Sequence, residues 1–303
     1  MTKLLRATAI LLALQAGPAC AEGRYPEHPV RIAVGFPAGT VPDLATRLVA
    51  DGLQAAFGQP VLVDNIPGAG GNVATDRVAK AKPDGHTLLM AGNGAIVINP
   101  GLYEKLPFDP GRDLVPVSQI CMTPNVLVVG NDVPVRDVAG LVALARARPG
   151  ALSYASSGVG TSQHLAGEML RSAAGIDLLH VPYTGGGAFM PDVMAGRVTM
   201  TFGNIAGSLA LIRDGRLRAL AVSSLERSPA LPDVPSMQEA GFPGFEATAW
   251  FGLMAPAGTP PTIVDRLHRE TVRVLARPEA GQRLAALGAV PIGNSPQEFA
   301  AAI

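Results

Sequence analysis

Four hydroxyl side chains, Ser156, Ser157, Thr161 and Ser162, fall in one short stretch with His164 close behind. Hydroxyls beside an imidazole are what nucleophilic catalysis requires, because the imidazole can take the hydroxyl proton. The same groups serve equally as a helix cap and as hydrogen-bond partners for a bound ligand. No Gly-x-Ser-x-Gly elbow occurs in the chain, so the strained turn that exposes a hydrolase serine is missing. His164 and Glu168 share a helix face at i,i+4, but no third metal ligand accompanies them and Cys121 stands apart. Asp43 follows Pro42 and stands where a helix N-cap would; it could cap that helix or recognise a ligand amine. Tyr183, next to Thr184 and Gly185-Gly-Gly187, offers a hydroxyl to a cleft or a ring to the core. His28, His86, His180 and His268 fall at expected strand edges or on a helix surface and carry no assignment.

Glycine-rich loops surround these residues. They are Phe36-Pro-Ala38-Gly39-Thr40, Pro67-Gly-Ala-Gly70-Gly71, Gly92-Asn93-Gly94, Ser156-Ser-Gly-Val-Gly160, Pro182 to Gly187, and Gly203-Asn204. Each follows a β-rich segment, and in parallel α/β sheets ligands bind beyond the carboxyl ends of the strands. Glycine lets backbone approach a ligand, and N–H groups at a helix start favour an anion. Gly68-Ala-Gly-Gly71 resembles a dinucleotide fingerprint but has Val73 at the third glycine place, and Gly158-Val-Gly160 has Gln163 there. Neither spacing supports a nucleotide, and the sequence calls for no cofactor and no metal.

The elements that must position these loops alternate regularly. Strands are expected at Val30–Gly35, Pro60–Asp64 and His86–Met90, with helices over Asp43–Phe57 and Asn72–Ala81. The order repeats with strands Leu152–Ala155, Asp177–Val181 and Val198–Phe202 and helices Thr161–Ala174 and Phe189–Ala195. This is the pattern of two α/β lobes, each a mostly parallel sheet flanked by helices. Thr123–Gly130 is the expected crossing strand, and the return lies within Leu217–Met254. The helical stretch Pro260–Leu287 then packs back on the first lobe. The expected division is residues 1–21 as a leader, 22–123 with 228–303 as lobe one, and 124–227 as lobe two.

Composition narrows the function classes. With 24 Lys+Arg against 24 Asp+Glu in 303 residues, the chain has no basic footprint for nucleic acid or anionic lipid. Hydrophobic residues at 48% with 16% charged exclude a disordered chain. The basic start at Lys3 and Arg6, the short apolar run and the small residues Ala19 and Ala21 read as a secretory signal cleaved after Ala21. Lipoprotein processing before Cys20 is the alternative. Without residues 1–21 Cys121 is alone, so no intrachain disulfide is expected.

Several phrases together resemble one family. Phe36-Pro-Ala-Gly-Thr-Val-Pro-Asp43, Asp64-Asn-Ile-Pro-Gly-Ala-Gly-Gly-Asn72, Lys82-Pro-Asp-Gly-His-Thr-Leu-Leu-Met90, His180-Val-Pro-Tyr-Thr-Gly-Gly186, Leu217-Arg-Ala-Leu-Ala-Val222, Leu231-Pro-Asp-Val-Pro235 and Trp250-Phe-Gly-Leu-Met-Ala-Pro-Ala-Gly-Thr-Pro260 occur in matching order. They resemble the tripartite tricarboxylate transporter substrate-binding proteins, or Bug receptors. The resemblance implies a periplasmic, two-lobed Venus-flytrap receptor without catalysis, acting as a monomer. It would capture a small organic acid or acidic amino acid for a membrane permease. It also implies that Phe36–Asp43 and the opposing Ser156–Thr161 grip the carboxylate, largely through backbone amides and bridging waters. Expected ligand contacts are Phe36, Ala38, Gly39, Thr40, Asp43, Gly70, Gly71, Asn93, Ser156, Ser157, Gly160, Thr161, His164, Tyr183 and Asn204. A periplasmic serine hydrolase using the Ser156–His164 loop, or a sensor for a signalling partner, are the alternatives. Thr40 stands where the family usually has a second glycine, which narrows the pocket or adds a hydroxyl. The chain also stops at Ile303 inside an opening helix, which implies truncation and a frayed C-terminal element on lobe one.

Overall fold

The computed structural model describes residues 25–184 and 187–303. The expected leader with Cys20, and Gly185 and Gly186, lie outside the described residues. The first parallel unit places β1 (Val30–Val34) between β2 (Val61–Asn65) and β3 (Thr87–Gly92). Helix α1 (Val41–Phe57) connects β1 to β2, and α2 (Asn72–Ala79) connects β2 to β3. Ala45, Val49 and Leu53 recur at helical spacing and are buried, so α1 lays one apolar stripe on the sheet. It stops at Gly58, whose left-handed φ of 67° lets its N–H bond the Gln54 carbonyl.

The second unit repeats the order. Strand β5 (Ser153–Ser156) lies between β6 (Leu179–Pro182) and β7 (Met200–Asn204), all parallel. Helix α4 (Ser162–Ala174) follows β5, and the short α5 (Met190–Met194) precedes β7. Two helices carry no expectation from the sequence: α3 (Val138–Ala147), capped by Asp137, and α6 (Ile205–Arg213), which leaves β7 directly.

Two long antiparallel strands join the units. β4 (Leu114–Gly130) pairs through Pro124 with β9 (Thr248–Pro256), while its residues from Asn125 onward pair with β7 and with β8 (Leu217–Val222). β9 in turn pairs with β3. Each lobe is therefore a parallel triplet extended by antiparallel crossing strands, in a two-lobed binding-protein architecture.

The packing moves one expected boundary. Met237, Phe245 and Ala247 join Leu127, Tyr154, Leu170 and Phe202 in the second core, so residues 228–247 do not return to lobe one. Phe245 stacks on Phe202 at 5.8 Å, and the Met237 and Ala247 N–H groups bond the Val222 and Ser223 carbonyls. The chain recrosses at β9.

Helices α7 (Pro261–Leu275) and α8 (Pro278–Ala286) follow β9, and α7 packs closely on α1. A Cβ on Gly52 of α1 would lie 2.1 Å from a Val274 methyl, so only glycine permits that approach. The last helix, α9 (Pro296–Ala302), is not frayed. A Ser295–Glu298 capping box closes its start, and Phe299 is fully buried with its ring edge-on to Trp250. Burying that one ring stabilises the docking by about 1.5–3 kcal/mol.

Candidate functional site

Asp43 stands in the first turn of α1, whose N-cap is Thr40. This corrects the expected N-cap, and it also removes a ligand-facing role. The Asp43 side chain is 1% exposed and accepts from Gly39 N (2.8 Å), Arg47 Nε (3.1 Å) and Asn65 Nδ2 (2.9 Å). Burial opposes its charge, but the bonds from Arg47, Gly39 and Asn65 outweigh that and hold the carboxyl below its ordinary value. Asn65 Nδ2 also donates to the Phe36 carbonyl. Asp43 thus pins the Phe36–Thr40 loop from beneath, and Thr40 Oγ1 closes it by donating to the Pro37 carbonyl at 2.7 Å.

The second-lobe loop is built the same way. Ser156 is fully buried, and its Oγ lies 2.7 Å from His180 Nε2 and accepts from Gly158 N. Ser157 N donates to Gln163 Oε1, and Gly160 N donates to His164 Nδ1. Thr161 is the N-cap of α4, its Oγ1 accepting from His164 N. The serine–histidine pair is therefore Ser156–His180, not a pair with His164, and it lies inside the lobe. Tyr154 stacks on His180 at 4.8 Å, and His180 lies 4.3 Å from His164. Burial, then the neighbouring His164, pushes the His180 imidazole down to about 4, and burial lowers His164 as well. Glu168 accepts from Tyr154 and pairs with Arg171, so it is committed to structure. Among the described residues no three His, Cys, Asp or Glu side chains gather as metal ligands.

The two lobes touch across the cleft. A Cβ on Gly160 would fall 1.7 Å from Asn99 Oδ1, one on Gly94 2.6 Å from the Gly160 carbonyl, and one on Gly70 3.1 Å from the Val159 carbonyl. Glycines on both sides permit this contact, and the left-handed run Gly68 to Gly71, including Ala69 at φ 45°, shapes the first-lobe side.

Three connected chambers lie between the lobes. The outer one, about 330 Å³, is lined by Phe36, Pro67, Gly70, Tyr103, Ser157 and Tyr183 among others. The inner one, about 60 Å³, adds Thr40, Asn93, Ser162, Gln163, Asn204 and Phe251. A side chamber of about 200 Å³ runs past Gly39, Thr40, Gln163, Asn204 and Phe189. Phe36 lines both inner and outer chambers, its ring held edge-on against Phe251 at 5.5 Å. The starts of α1, α4 and α6 all border the inner chamber, through Thr40 and Val41, Thr161 and Ser162, and Asn204. The N–H groups left without an intrahelical acceptor include Val41 and Asp43 in α1, where Pro42 has none, and Ser162 and Gln163 in α4, where the His164 N–H is taken by Thr161. Each helix end carries a partial positive charge, offset in α1 by the Asp43 carboxylate. That arrangement suits an anion without any cationic side chain.

Of the expected residues, Phe36, Gly39, Thr40, Gly70, Asn93, Ser157, Thr161, Tyr183 and Asn204 line the chambers. Ala38, Asp43, Gly71, Ser156, Gly160 and His164 do not; they shape or support the loops. Ser162, one of the four hydroxyls read as able to bond a ligand, lines the inner chamber, while Gln163, Tyr103 and Phe251 line the cleft without having been expected. Gln163 follows the Thr161 cap by two residues, which is the signal that could have found it. Tyr183 donates to Asp192 and so offers its ring rather than a free hydroxyl.

The sequence pattern of the tripartite tricarboxylate transporter family receptor matches residues 45–303. The chain belongs to that family. It is 37% identical over 301 residues to protein BugT of Bordetella pertussis, covering 98% of this chain and 92% of that one. Solved structures agree in fold. A protein of R. palustris with adipate superposes with a TM-score of 0.87 at 36% identity, covering 92% of this chain and 93% of that chain. MatC from Rhodopseudomonas palustris, with bound malate, gives 0.85 at 32% identity over 92% and 96% of the two chains. The protein is thus a solute receptor of the Bug type, and none of its described helices is long and apolar enough to cross a membrane.

Proposed function

We propose that this receptor works in the periplasm, captures a small organic carboxylate between its lobes and hands it to the membrane permease of a tripartite tricarboxylate transporter. The observation that carries the ligand class is the convergence of three helix N-termini on one chamber that spans both lobes. The solved relatives with adipate and malate support it, and the family description supports the transporter partner. Phe36–Thr40 and Ser157–Thr161 are the proposed grips, with Asn93 and Asn204 at the crossing strands beneath. Asn93 Nδ2 donates to the Thr248 carbonyl, and Asn204 Nδ2 donates to Asn125 Oδ1. Ligand would therefore press on groups bonded directly to β4 and β9, which couples occupancy to the angle between the lobes. A hydrolase is not favoured, since among the described residues the one serine hydrogen-bonded to an imidazole, Ser156, is fully buried.

A thermal-shift screen of mono-, di- and tricarboxylates should return at least one ligand. Ser157→Phe, which fills both inner and outer chambers, should weaken that ligand by about a hundredfold, or 2.7 kcal/mol. A ligand bound equally well by this variant would place the site elsewhere. Uptake into vesicles carrying the permease, with and without the receptor, tests delivery.

A further inference from the structure

A groove of about 540 Å³ lies outside the ligand cleft, on the other face of the crossing strands. Side chains alternate across a strand. Ala249 and Phe251 of β9 line the inner chamber, with Thr123 and Cys121 of β4 opposite them. Met122, Pro124 and Thr248 hold the alternate positions, and these three line the groove. Its walls come from both lobes. Ala285 and Ala286 of α8, with Val290 in the short β10 (Val290–Pro291), form the first-lobe wall. Leu209 and Arg213 of α6, with Ala230, form the second. Between groove and cleft the lobes meet at Gly288 and Ile205. The Gly288 carbonyl accepts from Thr123 Oγ1, and a Cβ on Gly288 would lie 2.9 Å from Ile205 Cγ2. The side chamber reaches this contact from the cleft, past Ala206 and Leu287, and the groove reaches it from behind, past Leu209 and Ala289. The contact and the crossing strands therefore act as a pivot. A rotation that parts Gly160 from Asn99 in front draws α6 and α8 together behind.

The lobes are closed in front, where Gly160 packs on Asn99, so the groove behind is open. Its first-lobe wall is then wet: Val290 is 50% exposed, and Ala285 and Ala286 are exposed too. Opening the cleft would cover that apolar surface, which favours the open, empty receptor. Ligand contacts must overcome this preference to hold the lobes together. We propose that the groove sets the receptor's ligand affinity, with Ala286 and Arg213 as positioning residues on its two walls. Their size decides how far the groove can shut and hence how far the cleft can open. A bulky side chain at either place would hold the empty receptor closed. Apparent affinity rises with the population of the ligand-holding state. Arg213 and Ala286 are exposed and each ends its helix, so neither substitution disturbs a core.

Small-angle X-ray scattering of the empty receptor tests this without a ligand. Ala286→Trp and Arg213→Trp should each have a smaller radius of gyration than the wild type, and Ala286→Ser should match the wild type. Calorimetry with adipate, malate and citrate then reads affinity. Whichever of the three binds the wild type best should bind Ala286→Trp about tenfold tighter, with slower dissociation. A folded Ala286→Trp no more compact than the wild type, or compact without any gain in affinity, would overturn the proposal. An empty wild type already as compact as Ala286→Trp would overturn it as well, since the groove would then not be holding the lobes apart. Should Ala286→Trp fail to fold, Arg213→Trp, acting from the opposite wall, decides by the same two readings. If the wild type binds none of the three acids, the carboxylate reading is what suffers, and scattering alone decides the role of the groove.

Discussion

Gly160 is the residue at which backbone conformation, lobe contact and ligand loop meet. Its φ is +80°, its N–H is bound to His164, and its Cα faces Asn99 so closely that no side chain fits. Asn99 is itself fully buried and held by donating to Asn72 Oδ1 at 2.7 Å, so it cannot swing aside cheaply. Gly160→Ala therefore carries two penalties. The left-handed conformation costs about 1–2 kcal/mol in either open or closed receptor. The clash with Asn99 arises only when the lobes meet. Ligand affinity measured by calorimetry is expected to fall about tenfold or more. Adding Asn99→Ala should recover most of that loss while leaving the stability deficit, and a double variant no better than the single would mean that lobe contact is not involved. Asp43 teaches the opposite lesson at the same scale. Its type and position suit either a cap or a ligand contact, and only its three partners, Gly39 in the preceding loop, Arg47 one turn on and Asn65 at the end of β2, decide that it is neither.

At the scale of elements, the strand–loop–helix order was legible because the strands of the two parallel units are short, mostly apolar runs followed by glycine-containing loops, and the long helices carry an apolar stripe. The loops at the strand ends were legible for the same reason. What was hidden is sideways adjacency. His180 and Ser156 are 24 residues apart and meet only because β5 and β6 are paired in register, with Tyr154 opposite His180 and Ser156 opposite Pro182. The lobe boundary was hidden likewise, since residues 228–247 have no regular period and are held by Phe245 on Phe202. That buried imidazole pair has a measurable consequence. His180 is held at about 4 by burial and by His164, against roughly 6.5 in an unfolded chain. Between these values the unfolded chain binds more protons than the folded one, so stability rises with pH. Chemical denaturation followed from pH 6.5 down to pH 4 should show falling stability. His180→Gln should flatten that slope; an identical slope would mean that the titrating group lies elsewhere.

For the whole molecule, the balance of 24 basic and 24 acidic residues acquires meaning from where the charges are not. A receptor for an anion with no net positive charge and an uncharged cleft has no long-range field to draw its ligand in. Attraction begins only at the first turn of α1, α4 and α6, where N–H dipoles act over a few ångströms. Capture must then depend on random encounter with an open cleft, followed by retention once the lobes meet at Gly94, Gly70 and Gly160. Salt distinguishes this from steering. A steered association slows steeply as ionic strength rises, whereas dipoles inside a closed cleft are little screened. Trp250, the single tryptophan, lies on β9 between Ala249 and Phe251 of the inner chamber, so its fluorescence is placed to follow closure. Stopped-flow association rates for a bound carboxylate should change by less than about twofold between low salt and about 0.5 M. A tenfold slowing over that range would instead require a cationic approach path formed by the arginines outside the cleft. Neutralising Arg47, which stands one turn into α1 beside the first-lobe loop and is half exposed in its pair with Asp43, would then reduce it.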